Sequence, residues 1–232
     1  MAKKDRQALR DAILLATLPH VAFDGWTGKS LDEGVRDAGL TPDMALRAFP
    51  GGVLELAEHF SAWADRRMLE ELEKRDLDGM RVRDRVAAGI RARLEILASH
   101  PEAVRPSISF LSLPGNLGVV ARLTFDTLNA LWYAAGDTSA DFNYYTKRGL
   151  LAPVYGATVL YWLSDTSEGH ADTWDFLDRR LGDVLKLSGL KAKFGKKLGR
   201  IPSPFRTLRK IRDSLSDRAG TQAKKSGGGA AA

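Results

Sequence analysis

A chain of 232 residues with 44% hydrophobic and 28% charged side chains can bury a full core and has the balance of a globular protein. It holds no cysteine, which excludes disulfides, thiolate catalysis, zinc–cysteine sites and iron–sulfur clusters together. The net charge of +6 is unevenly spread. Residues 186–232 carry 13 Lys/Arg against 2 Asp/Glu, leaving 22 bases and 27 acids in the first 185, so a basic tail follows an acidic body. That asymmetry points to a polyanionic partner, an anionic membrane surface or nucleic acid.

In chain order the pattern is helical, with apolar residues recurring at three and four and no sustained alternation. A first amphipathic helix is predicted over 5–22. Asp5, Arg10 and Asp11 interrupt it, so it does not read as a signal peptide, and a chain that stays where it is made is expected. No run approaches the roughly 18 uncharged apolar residues of a membrane-spanning helix. A short helix at LDEGVRDAG, a turn at LTPD and another short helix ending at Phe49 follow. Pro50 and two glycines then break the chain before the long helix VLELAEHFSAWADRRMLEELEK. Further helices are predicted over 81–99, 101–112, 116–135, 139–165 and 168–188. Thr138-Ser139 and Thr166-Ser167 offer capping hydroxyls before the last two. Pro153 should kink the 139–165 helix. In EGHADTWDFLDRRLGDVLKL, Ala171, Trp174, Leu177, Leu181 and Val184 align as a bundle seam or an internal core face.

A glycine-punctuated basic linker is expected over 189–202. The segment SPFRTLRKIRDSLSDR, 203–218, places Phe205, Leu208, Ile211 and Leu215 on one face, flanked by Arg206, Arg209, Lys210 and Arg212. That is the composition of an interfacial amphipathic membrane helix, with reversible, salt-sensitive attachment expected. Low-complexity 219–232 is expected to be a disordered tail.

The opening order of helices has a known look. SLDEGVRDAGLTPDMALRAFPGGVLELAEHF resembles the helix-turn-helix region of TetR-type repressors, with Ala38-Gly39 at the turn and Phe49 at the end of the second short helix. Residues 1–75 are therefore expected to form a helix-turn-helix-like region. Its charge argues against DNA: TPDMALRAF sets Arg47 against Asp43, and the preceding helix sets Arg36 against Asp32, Glu33 and Asp37.

No catalytic machinery is visible. None of the four histidines, His20, His59, His100 and His170, follows a Glu at three residues or pairs with another His at metal-binding spacing. There is no nucleophile elbow, phosphate-binding loop or dinucleotide fingerprint.

The stretch from PSISFLSLPGN to DTWDFLDRRLGDV is more specific. Trp132 stands before Gly136-Asp137; Asp141 through Arg148 read DFNYYTKR; Asp165-Thr166-Ser167 and Asp172 through Leu177 follow. These marks resemble the coenzyme Q (ubiquinone) biosynthesis accessory protein family over roughly 5–188, with Tyr144 where that family often has Trp. The resemblance implies an all-α, TetR-like helical bundle with a C-terminal amphipathic helix. It also implies a homodimer and a non-enzymatic role; no cofactor is expected, and no DNA contact is expected from the charges above. The family binds an isoprenoid quinone precursor and presents it to a di-iron demethoxyubiquinone hydroxylase. Residues 76–188 would be the lipid-binding and docking region.

Carried over by position, Asp141, Tyr144, Tyr145 and Arg148 would form the docking patch, and in a helix they share one face with the composition of an interface hot spot. A tail-binding cavity needs apolar walls; the candidates are Phe110, Leu111, Leu113, Leu128, Leu131, Trp132, Val154, Leu160 and Leu163. Pro153 could hold a gap open. A cytoplasmic protein peripheral on a bacterial inner membrane is expected, or on the matrix side if mitochondrial. The rival reading is a ligand-responsive TetR-type transcription regulator.

Overall fold

The computed structural model describes residues 3–137 and 142–195, with side chains over 5–137 and 145–184. Nine α-helices occur among the described residues: α1 Lys3–Asp24, α2 Gly28–Asp37, α3 Pro42–Ala48, α4 Gly52–Glu73, α5 Val82–Leu97, α6 Pro101–Leu111, α7 Leu117–Ala134, α8 Phe142–Trp162 and α9 Ala171–Gly195. Short 3-10 turns at Pro114–Asn116 and Glu168–His170 precede α7 and α9. Met1–Val184 form one compact unit. Leu185–Ala232 form another, of which the helical backbone to Gly195 is described.

The helices fall within about three residues of the predicted ones except at α9, which continues seven residues past 188. Gly189 costs a helix about 1 kcal/mol relative to Ala, and the Leu, Lys and Ala around it keep the turn going. The rest of the expected linker 189–202, the amphipathic helix 203–218 with Phe205, Arg206, Leu208, Arg209, Lys210, Ile211, Arg212 and Leu215, and the tail 219–232 lie outside the described residues. Among the described residues no single helix is long and apolar enough to cross a membrane.

α4 is the axis of the body. Leu56, Phe60, Ala64, Met68 and Leu72 are buried along it, four residues apart, with Trp63 beside them. It packs against α1, α5 and α7. Trp26 lies 5.6 Å from Phe60, which stacks on Trp63, and the Trp26 indole N–H donates to the Ala103 carbonyl at 3.3 Å. Two glycines permit close crossings: a Cβ at Gly34 would meet Thr17 backbone at 2.6 Å, and one at Gly89 would meet the Leu131 side chain at 2.6 Å.

In the helix-turn-helix-like region, Gly39 ends α2 at φ +67. The Leu40 N–H bonds the Val35 carbonyl and the Gly39 N–H bonds that of Arg36, the paired bonds of a Schellman cap. Phe49 is buried, with the Arg10 guanidinium 4.6 Å above its ring. His20 bridges α1 to α2, its ring nitrogens 3.0 Å from Glu33 and 2.7 Å from Asp37.

His59 of α4 is buried and bonds Asp11 of α1 at 2.7 Å, where Arg66 also donates at 2.6 Å. Burial pulls the His59 imidazole down to about 4 despite the Asp11 hydrogen bond. The unfolded chain, with imidazole near 6.5, therefore binds the proton that the folded chain refuses. The stabilisation is full above 6.5 and is lost as pH falls toward 4. Urea midpoints should decline over that window, and His59→Gln should flatten the decline; equal slopes for both chains would remove His59 as the cause.

Candidate functional site

A cavity of about 450 Å³ opens among α4, α5, α6, α7 and α8. Its walls are largely apolar: Ala57 and Phe60 from α4, Leu97 from α5, Val104, Ile108 and Leu111 from α6, Val120 and Leu123 from α7, Val159 and Leu160 from α8. Leu160 is 62% exposed and stands at the rim. That volume falls within the range of small-molecule and lipid sites.

One side of the cavity is polar. Arg93, 5% exposed, donates through Nε to Asp65 Oδ1 at 2.6 Å and through Nη2 to Ser61 Oγ at 3.0 Å. The Thr127 hydroxyl reaches both Asp65 carboxylate oxygens at 3.0 Å. The guanidinium carbon lies 5.6 Å from the Tyr155 ring centre. Burial works against the Arg93 charge, but Tyr155 and the Asp65 carboxylate outweigh it, so the guanidinium stays protonated. Burial likewise pushes the Tyr155 hydroxyl above the ordinary phenol range, keeping it neutral.

Of the nine residues predicted to line a lipid site, the structure brings Leu111 and Leu160 to the cavity. The other seven stand elsewhere. Leu128, Leu131 and Val154 are buried in the core, Leu131 occupying the space over Gly89. Phe110, Trp132 and Leu163 are half-buried, and Leu113 is 53% exposed. An apolar stripe tells which residues point inward, but not which of them meet a neighbour and which meet a gap. The reading also missed Arg93 and Tyr155. Arg93 left a signal: an arginine stands within the stripe Val86, Ile90, Leu94 and Leu97, where a solvated charge has no place.

The expected docking patch divides. Asp141 and the Tyr144 side chain lie outside the described residues. Tyr145 is 67% exposed on α8. Arg148 is not a surface group: it is 4% exposed, donates to Asn129 Oδ1 from Nη2 at 2.7 Å and from Nε at 3.2 Å, and has Nη1 3.6 Å from Asp137. Lys147 donates to Asp137 at 2.5 Å and sits 5.4 Å over the Trp132 ring. A carboxylate as buried as Asp137, 4% exposed, needs cations beside it, and this draws Arg148 inward to tie α8 to the end of α7.

A second family mark is also a clasp. Asp165 accepts from the Ser167 N–H and hydroxyl at 2.8 and 2.6 Å, and from the Thr173 N–H and hydroxyl at 2.9 and 2.5 Å. These bonds, the Ser167 hydroxyl first, hold its carboxyl well below the usual range. The carboxylate thus serves the entry to α9, with the Ser167 hydroxyl accepting from Asp172 N–H. Along α9, Thr173, Leu177 and Leu181 are buried, whereas Ala171 of the expected seam is exposed. α8 runs unbroken from Phe142 to Trp162 through Pro153.

Residues 117–188, which hold α7, α8 and the first part of α9, match the COQ9 family model. The chain is 32% identical over 208 residues to "Ubiquinone biosynthesis protein COQ9, mitochondrial" of Rattus norvegicus, covering 84% of this chain and 64% of that protein. The Homo sapiens protein of the same name is 32% identical, covering 84% and 63%, and that of Drosophila melanogaster is 30% identical, covering 78% and 56%. The chain thus spans less than two thirds of the length of these relatives. Among solved structures, a TetR transcriptional regulator from Nitrosomonas europaea ATCC 19718 superposes with a TM-score of 0.63 at 21% identity, covering 77% of this chain and 98% of that one. The fold is TetR-like and all-α.

Replacing Arg148 by Ala would remove one of the cations beside buried Asp137. A loss of about 2–3 kcal/mol is expected, or roughly 2–4 °C of Tm per kcal/mol. An unchanged melting curve would return Arg148 to the surface.

Proposed function

We propose that the chain, which matches the COQ9 family model over residues 117–188 and is 32% identical to the Rattus norvegicus protein, serves ubiquinone biosynthesis as a non-enzymatic lipid-binding protein. It takes up an isoprenoid quinone precursor at a membrane and presents it to the di-iron demethoxyubiquinone hydroxylase. The observation that carries this reading is the apolar cavity between α6, α7 and α8. More than a third of its lining comes from residues of the matched region, Val120, Leu123, Tyr155, Gly156, Val159 and Leu160 among them.

Gentle purification followed by lipid extraction and mass spectrometry should recover an isoprenoid-type lipid. Gly156 lines the cavity, and a Cβ there would meet nothing within 4 Å. Gly156→Phe should therefore fold with stability changed by no more than about 1 kcal/mol and lose most of its lipid. A native sample free of lipid, or a variant that keeps it all, counts against the reading.

Docking is assigned to exposed Tyr145 on α8; attachment to an anionic inner-membrane surface is assigned to residues 203–218, by their charge and apolar spacing. A pull-down against the hydroxylase, with and without anionic liposomes, should show Tyr145→Lys failing in both conditions. A chain lacking 203–218 should fail to gain from the liposomes. Native behaviour in both variants would discard the two assignments.

A DNA-binding regulator is the weaker reading, since likeness to the solved repressor concerns the fold alone. The exposed charges of α2 and α3 balance, Asp32, Asp37 and Asp43 against Lys29, Arg36 and Arg47, with Lys29 paired to Asp24, so these helices offer no net positive face to a phosphate backbone.

A further inference from the structure

Residues 106–121 hold no charged side chain, and they form the corner where α6 gives way to α7. The chain is bent by 92° there, around the 3-10 turn Pro114–Asn116. Leu113 and Leu117 flank that turn at 53% and 59% exposure, and Pro114, Gly115, Gly118 and Ala121 are exposed beside them. A corner that faces water is ordinarily built from polar turn residues. This one presents two leucines and no charge.

Two features decide which environment it suits. The end of α6 leaves carbonyls without a helical partner, and the corner takes up two of them itself. The Ser112 N–H bonds the Ile108 carbonyl at 2.9 Å, and the Asn116 side-chain amide donates to the Phe110 carbonyl at 2.9 Å. The Asn116 N–H closes on the Leu113 carbonyl at 2.8 Å. These groups can leave water without being stranded, a condition that a bilayer imposes and water does not. The composition also differs from that of a protein-docking surface, where Trp, Tyr and Arg anchor the contact and Leu is scarce. Exposed arginines stand only at the two ends of the segment, Arg105 and Arg122, the latter also bonded to Glu58. An apolar tip flanked by cations matches a hydrocarbon layer edged by phosphate headgroups.

We propose that the α6–α7 corner is a membrane-contact site, in which Leu113 and Leu117 dip into the outer part of a lipid bilayer. It is a wedge and not a span: α6 has 11 residues, about 16 Å of helix, against a hydrocarbon layer of about 30 Å. Because it acts through apolar side chains, the contact persists at salt concentrations that screen surface charges. Ile108, Leu111, Ser112 and Val120 of the same segment line the cavity, so insertion brings the cavity's edge to the bilayer. Its service as a doorway rests on the reading of the cavity as a lipid site; the insertion does not.

The chain has no cysteine, so one introduced residue can carry an environment-sensitive dye at a single place. Leu113→Cys is compared with Val82→Cys in the full chain. Val82 is 51% exposed and stands fifteen residues, about 22 Å along α5, from cavity-lining Leu97. With vesicles of phosphatidylcholine and phosphatidylglycerol, the dye at 113 should shift to the blue and be quenched by brominated acyl chains. The dye at 82 should keep its aqueous spectrum. The unlabelled double variant Leu113→Ser, Leu117→Ser changes exposed positions only and should keep the native Tm. Its partition into vesicles should fall about tenfold or more, at high salt as at low. A bound chain whose dye at 113 stays silent or responds no more than that at 82, or a double variant that binds as the native chain does, would overturn the proposal. The corner would then belong to water or to a protein surface. No binding to vesicles at all would overturn it together with the assignment of residues 203–218. Neither result bears on lipid recovered from the cavity, which the extraction above measures separately.

Discussion

A guanidinium held away from water constrains how four of these helices meet. Arg93 is embedded in the middle of α5, and a charge there is tolerable only with a carboxylate at contact and its remaining hydrogens satisfied. Asp65 supplies the contact from α4, and Thr127 of α7 bonds the same carboxylate, so three helices are held to one geometry. Tyr155 brings α8 against the other side. The cavity lies beside this polar point, with Ser61, Arg93, Thr127 and Tyr155 in its lining.

The marks that make residues 117–188 recognisable divide between this cavity and two clasps. Asp137, Lys147, Arg148 and Asn129 join α7 to α8. Asp165, Ser167 and Thr173 join α8 to α9. Both clasps bury or saturate a carboxylate where the chain changes direction, and so set the angle at which α8 crosses the bundle. α8 carries cavity-lining Tyr155 and Val159, Leu160 at the cavity rim and the exposed Tyr145. A motif that reads as a docking strip is thus in part the frame that aims the strip.

The amino-terminal half shows how a repressor-like fold can persist on other terms. The Schellman cap at Gly39, the buried Phe49 and the close crossing at Gly34 are backbone and packing requirements, indifferent to what the exposed face does. The exposed face carries Asp32, Asp37 and Asp43, and the His20 imidazole is occupied by Glu33 and Asp37.

Helix positions were legible because they depend on local causes: apolar spacing, the break at Pro50 and its two glycines, and the glycine turn at 39. Each acts within a few residues of itself. Family resemblance and the TetR-like order were legible for the same reason, as they are patterns along the chain. The division of an apolar stripe into core and cavity wall was not. Leu131 and Val159 look alike in sequence, yet one fills the gap over Gly89 and the other faces open space, a difference made by partners on other helices. Arg148 likewise reads as a surface cation until Asp137, eleven residues earlier, is found buried beside it. Which way a side chain faces follows from the chain's own periodicity, whereas what it meets there depends on long-range packing, which only the assembled bundle decides.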